Sequence, residues 1–591
     1  MEHTFHIPVL GLAFSIDSPL KVAQFGIASV MSIVDDELVE RMREYYAKKH
    51  FLPYIPIGPK ATDSRSQRIT AYLDLVQEIV KEQIQQLRTA DLDHSTDLQK
   101  YFELLPDTSS VKRIYNNYLQ EIDPNKKAHL KATLMMNVQP GDINVNIMSK
   151  VDKINTDSAG NVLDHLYSDA SAALRGFAMS NIKGGLVLSA GMNPRLYSYL
   201  GELPQFIPNK KGEFQKQVIL KVSDYRSALI QAKFLAKKGI WVSEFRVESG
   251  LNCGGHAFAT EGLLLGPILE EFKTNSAALQ HELSSMYTES LKAKGHVLDN
   301  CPQIRITAQG GIGTAAEQSF LLSHYGLAAT GWGSPFLLVP EATTVDDQTL
   351  QALASAQKDD FYTSGASPLG VPFNNFKKSS AELNRLQRIQ KGRPGAPCTK
   401  KYLISNAEYS DEPICTASRI YQYTKLKELE IFEGESEDYH KKLKEITEKT
   451  CLCEGLATSA YLKYDILQKK EDDAVAICPG PNTAYFNSIY SLQDMVDHIY
   501  GRKDLLVGSD RPSLFINELN LYIEYLEQYL RDNELQMDDK KEKFTARFKK
   551  ELNSGIAYYN KIAEQLFPTD PVQRNTFTQQ LVDGQIKLTA L

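Results

Sequence analysis

Eight short apolar segments, separated by helical stretches, recur through the first 330 residues and leave few folds open to the chain. They are Phe5–Leu10, Gly26–Ile33, Asn144–Met148, Gly185–Ser189, Gln217–Val222, Ile240–Val247, Gln303–Ala308 and Gly326–Thr330. Most are continuous runs, such as QVILKV, rather than strict alternations of apolar and polar residues. Strands covered on both faces read in this way. Helical patterns such as Ser227–Lys238 and Ala315–His324 lie between them. Repeated βα units imply a parallel sheet, and eight of them fit a closed (β/α)8 barrel of TIM type, roughly 250 residues plus insertions. The polar, helical stretch 64–131 interrupts the rhythm after the second unit. It is expected to be a helical insertion: a lid, an oligomer contact or a solvated decoration.

After about residue 375 the alternation stops. Leu519, Ile523, Leu526 and Leu530 recur at three- and four-residue spacing, the pattern of an amphipathic helix. The expected organisation is a barrel over 1–375 and a mostly α-helical C-terminal region over 376–591. With 42% apolar and 24% charged residues the chain can bury a large core in water. Its net charge of −7 is spread along the chain, which argues against a nucleic-acid partner, since that needs a clustered basic face. No apolar run approaches the roughly 18 residues of a membrane span, so no membrane partner is expected. The opening MEHTFHIPVLGLAF has no basic start, and Pro8 breaks its apolar stretch. It does not read as a secretory signal, and a cytoplasmic location is expected.

The segment 304–342, IRITAQGGIGTAAEQSFLLSHYGLAATGWGSPFLLVPEA, carries the strongest functional signal. One strand ends before Gly310 and Gly311, and a helix starts near Thr314. About twenty residues later a second strand ends at Gly331-Trp332-Gly333-Ser334. Glycines at strand ends let backbone approach a ligand. Two adjacent loops backed by a helix N-terminus can form an anion site, and barrels often build one after their last two strands. The alternative reading is that the glycines are only tight turns, which two pairs at consecutive strand ends disfavour.

These two loops resemble the paired phosphate loops of the nitronate monooxygenase (2-nitropropane dioxygenase) family. The N-terminal HIPVLGLAFSIDSPLKVAQFGIASVMSI, the VNIM at 145–148, and the stretch from QVILKV to ESGLNCGGH are similar to other motifs of that family, in family order. The resemblance spans most of residues 5–345 and is silent on 376–591. It implies an FMN-dependent oxidoreductase that oxidises a small carbon acid, such as a nitronate, with O2. Gly310, Gly311, Gly333 and Ser334 would hold the FMN phosphate, and Gly254 and Gly255 would approach the cofactor. Asn146 and Lys221 would lie beside the ring or ribityl chain, Leu12 and Ala13 would pack on the ring, and His256 would be the catalytic base. One departure stands out: Leu251, Asn252 and Cys253 separate Glu248-Ser249-Gly250 from Gly254-Gly255-His256, where the family runs on without interruption.

From its residues alone, His256 follows two glycines at a predicted strand end, where barrel active sites lie. A histidine there suits proton removal from a carbon acid near neutral pH, or it is a loop histidine with a structural partner. His165, Lys150 and Asp152 could line the same pocket or belong to solvated loops. Five of the seven cysteines, Cys398, Cys415, Cys451, Cys453 and Cys478, fall in one C-terminal stretch. In a reducing compartment they read as a zinc or Fe–S site or as unrelated buried thiols, and their spacing matches no standard metal motif. Two alternatives stand beside the leading reading. One is a flavin-dependent enoyl-thioester reductase taking hydride from NAD(P)H. The other is a barrel scaffold carrying a helical partner-binding module. A small-molecule substrate is expected, and a homo-oligomer is compatible with all three.

Overall fold

The computed structural model of the chain describes residues 2–149, 152–157, 160–189, 191–257, 261–432, 437–533 and 538–591. Eight strands, β1 (Phe5–Ile7), β2 (Ala28–Ser32), β3 (Ile143–Asn146), β4 (Gly184–Leu188), β5 (Lys216–Val222), β6 (Val242–Glu248), β7 (Arg305–Gln309) and β8 (Ala329–Gly331), form a closed parallel barrel in sequence order. The ring closes where β8 pairs with β1 through Phe5↔Thr330 and His6↔Gly331. Each strand falls within or beside an apolar run of the sequence. The runs are apolar because outward-facing residues such as Ile7, Met31 and Phe245 are buried beneath the surrounding helices. A small antiparallel pair, β9 (Phe361–Ser364) and β10 (Phe373–Phe376), follows the barrel. Its sequences, FYTS and FNNF, are too short and polar to announce it.

Inside the barrel an apolar layer of Val9, Val30, Val187 and Ile219 lies with a polar set from neighbouring strands. Arg246 Nε donates to Glu244 Oε1 (2.9 Å), and the Thr307 hydroxyl donates to the same oxygen (2.6 Å). His6 lies beside this group and is fully buried. Nearer the N-terminal rim, His3 Nδ1 meets the Tyr500 hydroxyl at 2.9 Å and its Nε2 meets the Phe25 carbonyl at 3.1 Å.

The expected insertion begins with the helix Ser64–Thr89, which packs against the helices Asp36–Lys49 and Asp169–Met179. It buries Ile69, Tyr72, Leu73, Val76, Ile79 and Val80. At Gly176 a Cβ would come within 2.8 Å of Ile69 Cβ, so the two helices meet almost backbone to side chain. This helix is therefore part of the barrel wall, and only its polar outer face matches a solvated decoration. The helices Thr96–Leu104, Ser110–Gln120 and Pro124–Met136 complete the stretch before β3.

Beyond Phe376 the described residues form helices and loops and no further strand. Their apolar side chains merge with the barrel's in one continuous core that includes Leu514, Phe515, Leu519 and Tyr559. The helix Leu514–Asn533 is pinned to the end of β6. Glu518, buried within it, accepts hydrogen bonds from the Ser249 hydroxyl (2.7 Å), Gly250 N–H (2.9 Å) and Leu265 N–H (2.8 Å). No helix among the described residues is long and apolar enough to cross a membrane.

Candidate active site

The C-terminal ends of adjacent strands carry a linked set of polar side chains. Lys221, on β5, pairs with Glu248 of β6 at 3.0 Å, and Gln309, at the end of β7, donates to the other Glu248 oxygen at 2.8 Å. Lys221 and Glu248 keep partial solvent access, with side chains 16% and 22% exposed, so both can meet a ligand. Asn146 closes β3 and is half-buried, its carbonyl accepting from Ile33 N–H. Leu12 is half-buried, whereas Ala13 is fully buried and its N–H donates to the Leu456 carbonyl at 3.0 Å. The Ala13 N–H is thus engaged by the C-terminal region.

Gly310 and Gly311 adopt left-handed φ values of +95° and +75°, which explains glycine at both. Packing gives a second reason. A Cβ on Gly311 would lie 2.7–2.8 Å from Leu251 and Leu514, one on Gly310 would lie 3.0 Å from the Leu251 carbonyl, and one on Gly333 would lie 2.6 Å from Cys253 Sγ. The extra residues Leu251–Asn252–Cys253 thus lie directly on the glycine loops.

The carbonyls of the first loop are held from behind. Arg511 Nη2 donates to Gly311 O (2.6 Å), Asn482 Nδ2 to Ile312 O (2.8 Å), and His498 Nε2 meets Gly313 O at 2.8 Å. Arg511 is itself anchored on Glu317 at 2.8 Å. The helix Ala315–Tyr325 that follows caps itself. Thr314 and Glu317 form a capping box, and Glu317 Oε2 also accepts from Gly313 N–H at 2.8 Å. The helix N-terminus expected to back an anion site is thus occupied by its own carboxylate. The loops still carry donors. The backbone N–H groups of Gly311, Ile312, Gly333 and Ser334 are buried, and among the described residues none donates to a protein acceptor. Buried N–H groups without an acceptor are rare, and four on adjoining loops suit an anion. The Gly310 N–H is turned to the Cys253 sulfur.

His256 sits on a strap over this end of the barrel. It bridges Phe373 of β10, with the rings edge to face at 5.3 Å, and Gly254 bridges Pro479. Its Nε2 lies 2.8 Å from the hydroxyl of buried Ser367, which also accepts from Leu369 N–H. Asn252 donates to the His256 carbonyl (2.7 Å) and accepts from Asn374 (2.7 Å), so two buried amides fix the strap. Gly255 donates to the Cys478 carbonyl, and a Cβ there would meet nothing within 4 Å.

The remaining expectations separate. Asp152 accepts from the Ser168 hydroxyl and Ala170 N–H, a helix-start role. His165 is half-exposed beside Asp164. Lys150 lies outside the described residues. All seven cysteines are free thiols. Among the described residues no group of three or more His, Cys, Asp or Glu side chains comes together to hold a metal ion. A zinc site needs sulfurs at roughly 2.3 Å from one ion, and Cys398, Cys415, Cys451, Cys453 and Cys478 are not gathered in that way. Cys478 stands apart beside Gly255, where burial pushes its thiol up to about 12.

Sequence reasoning missed Ser367, Asn374, Asn482 and Arg511. Only Gln309, which directly precedes the glycine pair, carried a local signal.

No family model matches the chain, and no curated protein matches it. Among solved structures it is similar to the enoyl reductase domain of MlnA from the macrolactin biosynthesis cluster of Bacillus amyloliquefaciens. The identity is 15% and the TM-score 0.33, with 69% of this chain and 89% of that chain covered. That likeness is too distant to assign a function.

Proposed function

We propose that the chain is an FMN-dependent oxidoreductase of nitronate monooxygenase type, acting on a small carbon acid with O2 as the electron acceptor. The observation that carries this reading is that the N–H groups of four buried residues, Gly311, Ile312, Gly333 and Ser334, have no acceptor among the described residues. They fit a terminal phosphate, and Ser334 adds its hydroxyl. The motif resemblance narrows the phosphate to that of FMN.

FMN, when bound, supplies the two-electron redox chemistry. The chain supplies the rest. Lys221, held by Glu248, puts a cation at the strand ends, where it orients an anionic group, and Asn146 offers an amide on the neighbouring side. His256 takes the proton from the carbon acid. Its Nε2 stays in hydrogen-bond contact with Ser367 Oγ at 2.8 Å, which holds the ring in place. Ser367 is a positioning residue, because it acts through the ring. The strap fixed by Asn252 and Asn374 keeps the imidazole at the barrel mouth and limits water entry.

The test is mass spectrometry of the cofactor released from purified, denatured protein, followed by oxygen uptake with a nitronate. Release of FMN and nitronate-dependent oxygen uptake support the reading. Recovery of FAD, or no flavin even after reconstitution, refutes it. FMN together with NAD(P)H consumption on an enoyl thioester, and no nitronate oxidation, replaces it with the reductase. Gly311→Val is a poor probe here, because its side chain would strike Leu251 and Leu514 whether or not a phosphate binds.

A further inference from the structure

Two of the C-terminal thiols are brought together by backbone as well as by side chain. Gly395, at φ +81°, runs so close to Arg419 that a Cβ would meet its Cα at 2.7 Å. Just beyond it, Ala396 N–H donates to Ala417 O and Arg419 N–H donates to Ala396 O, both at 3.0 Å. Asn406 and Ile414 exchange two further backbone hydrogen bonds, at 3.1 and 2.8 Å. These bridges fold 396–419 into a doubly pinned loop that carries Cys398 near its start and Cys415 near its end. The Cys398 and Cys415 thiols lie close enough for each to perturb the ionisation of the other. Cys398 is partly exposed and Cys415 is buried. Cys451 and Cys453 lie within electrostatic range of Cys398.

We infer that Cys398 and Cys415 are a redox pair, forming a reversible intramolecular disulfide in which Cys398 is the attacking thiol and Cys415 the resolving one.

The chemistry of the two positions differs in the required direction. The neighbouring Cys415 thiol, and the charges of Lys401 and Lys153, hold the Cys398 thiol below its ordinary value. The neighbouring Cys398 sulfur and burial push Cys415 up. A thiolate with partial access is the reactive form. With a peroxide as oxidant, Cys398 thiolate attacks one peroxide oxygen and the O–O bond breaks. This leaves a sulfenic acid on Cys398, and the displaced hydroxide takes up a proton to become water. Cys415 then attacks the Cys398 sulfur, the S–O bond breaks, the Cys415 proton leaves with the hydroxyl as a second water, and the S–S bond forms. Two thiols lose two electrons and the peroxide gains them. Closure to a bond of roughly 2.05 Å needs a small movement of a loop end, not refolding.

The pair also lies one step from the proposed base. Thr416, next to Cys415, donates to the Pro368 carbonyl at 3.1 Å, and the preceding Ser367 holds His256.

The experiment uses the full chain, reduced and desalted. It is treated with one equivalent of hydrogen peroxide, alkylated, and digested without reductant for mass spectrometry. The expected product is a Cys398–Cys415 linked peptide that dithiothreitol removes, and the Cys415→Ser variant should instead trap a dimedone adduct on Cys398. Separately alkylated Cys398 and Cys415, or a Cys398 link to Cys451 or Cys453, would overturn the assignment. So would stoichiometric zinc or iron in anaerobically prepared protein that protects these thiols from alkylation. Because the main readout is made on the unmodified chain, a variant that fails to fold leaves the result intact.

Discussion

Lowering the pH from about 8 to about 5 is expected to cost the fold about 4 kcal/mol through two histidines at the N-terminal end of the barrel. Both rings are fully buried and neutral. Burial, reinforced by Arg246, lowers His6 from 6.5 to about 3, and burial, partly offset by the Phe25 carbonyl, lowers His3 to about 4. The unfolded chain binds protons on these rings as the pH falls through 6.5, and the folded chain does not until about pH 4 and then 3. Their stabilisation is therefore complete above pH 6.5 and drains away below it. At pH 5 the unfolded ring has gained about 1.5 pH units of protonation free energy, or about 2 kcal/mol for each histidine. No solvent discount applies to rings with no exposure. The stability slope should approach about 2.7 kcal/mol per pH unit for the two together. His324, whose value is also lowered by partial burial, adds with the same sign. The assay is urea unfolding across pH 8 to 5, repeated on His3→Gln/His6→Gln. The double variant should be less stable at pH 8 and lose most of the slope. An unchanged slope in the double variant, or ring protonation seen by NMR above pH 6 in the folded protein, would refute the reasoning.

His256→Ala is expected to keep FMN and to slow oxidation of a neutral nitroalkane by roughly 10²–10⁴-fold, the range of general acid–base catalysis. A pre-ionised nitronate should lose less, and equal losses on the two substrates would mean that the ring positions substrate without removing its proton. Lys400→Met removes the ion-pair partner of the Asp35 carboxylate, which is 1% exposed, paired to Lys400 Nζ at 2.5 Å, and otherwise held by the Glu37 and Leu38 N–H groups and the Tyr402 hydroxyl. It should cost about 3–5 kcal/mol, with partial recovery in Asp35→Asn/Lys400→Met, and a single-variant loss below about 1 kcal/mol in denaturant titration would count against it.

The barrel was legible because parallel strands buried on both faces leave short apolar runs, as in Val218–Leu220 of β5. Arg511 and Asn482 had no such trace. Their contacts with the Gly311 and Ile312 carbonyls cross 200 and 170 residues, and nothing local marks an arginine that will travel that far. The helix Ser64–Thr89 looked polar because its buried face is a stripe within a charged sequence. The glycine pairs were visible, and their physical reason was only half visible. Left-handed backbone is a local property, whereas contact with Leu251, Cys253 and Leu514 depends on an inserted loop and a distant helix. The cysteine cluster was conspicuous as composition, but spacing could not reveal that two sets of backbone bridges hold Cys398 and Cys415 in one pinned loop.

The anchoring of Glu518 on Ser249, Gly250 and Leu265 sets an order of events on the ribosome. The partners lie 269, 268 and 253 residues apart. At roughly 5–20 residues per second, the end of β6 emerges on the order of ten seconds or more before the helix that secures it. Once β8 has followed, the nascent barrel has its walls but not its mouth, and the first glycine loop still lacks Leu514 and Arg511. Such sequence-distant closures are slow and leave apolar surface open to other chains. Competence to bind a ligand is therefore acquired late, when the last helices seat, and a translation arrest upstream of residue 511 would release a barrel without a finished site.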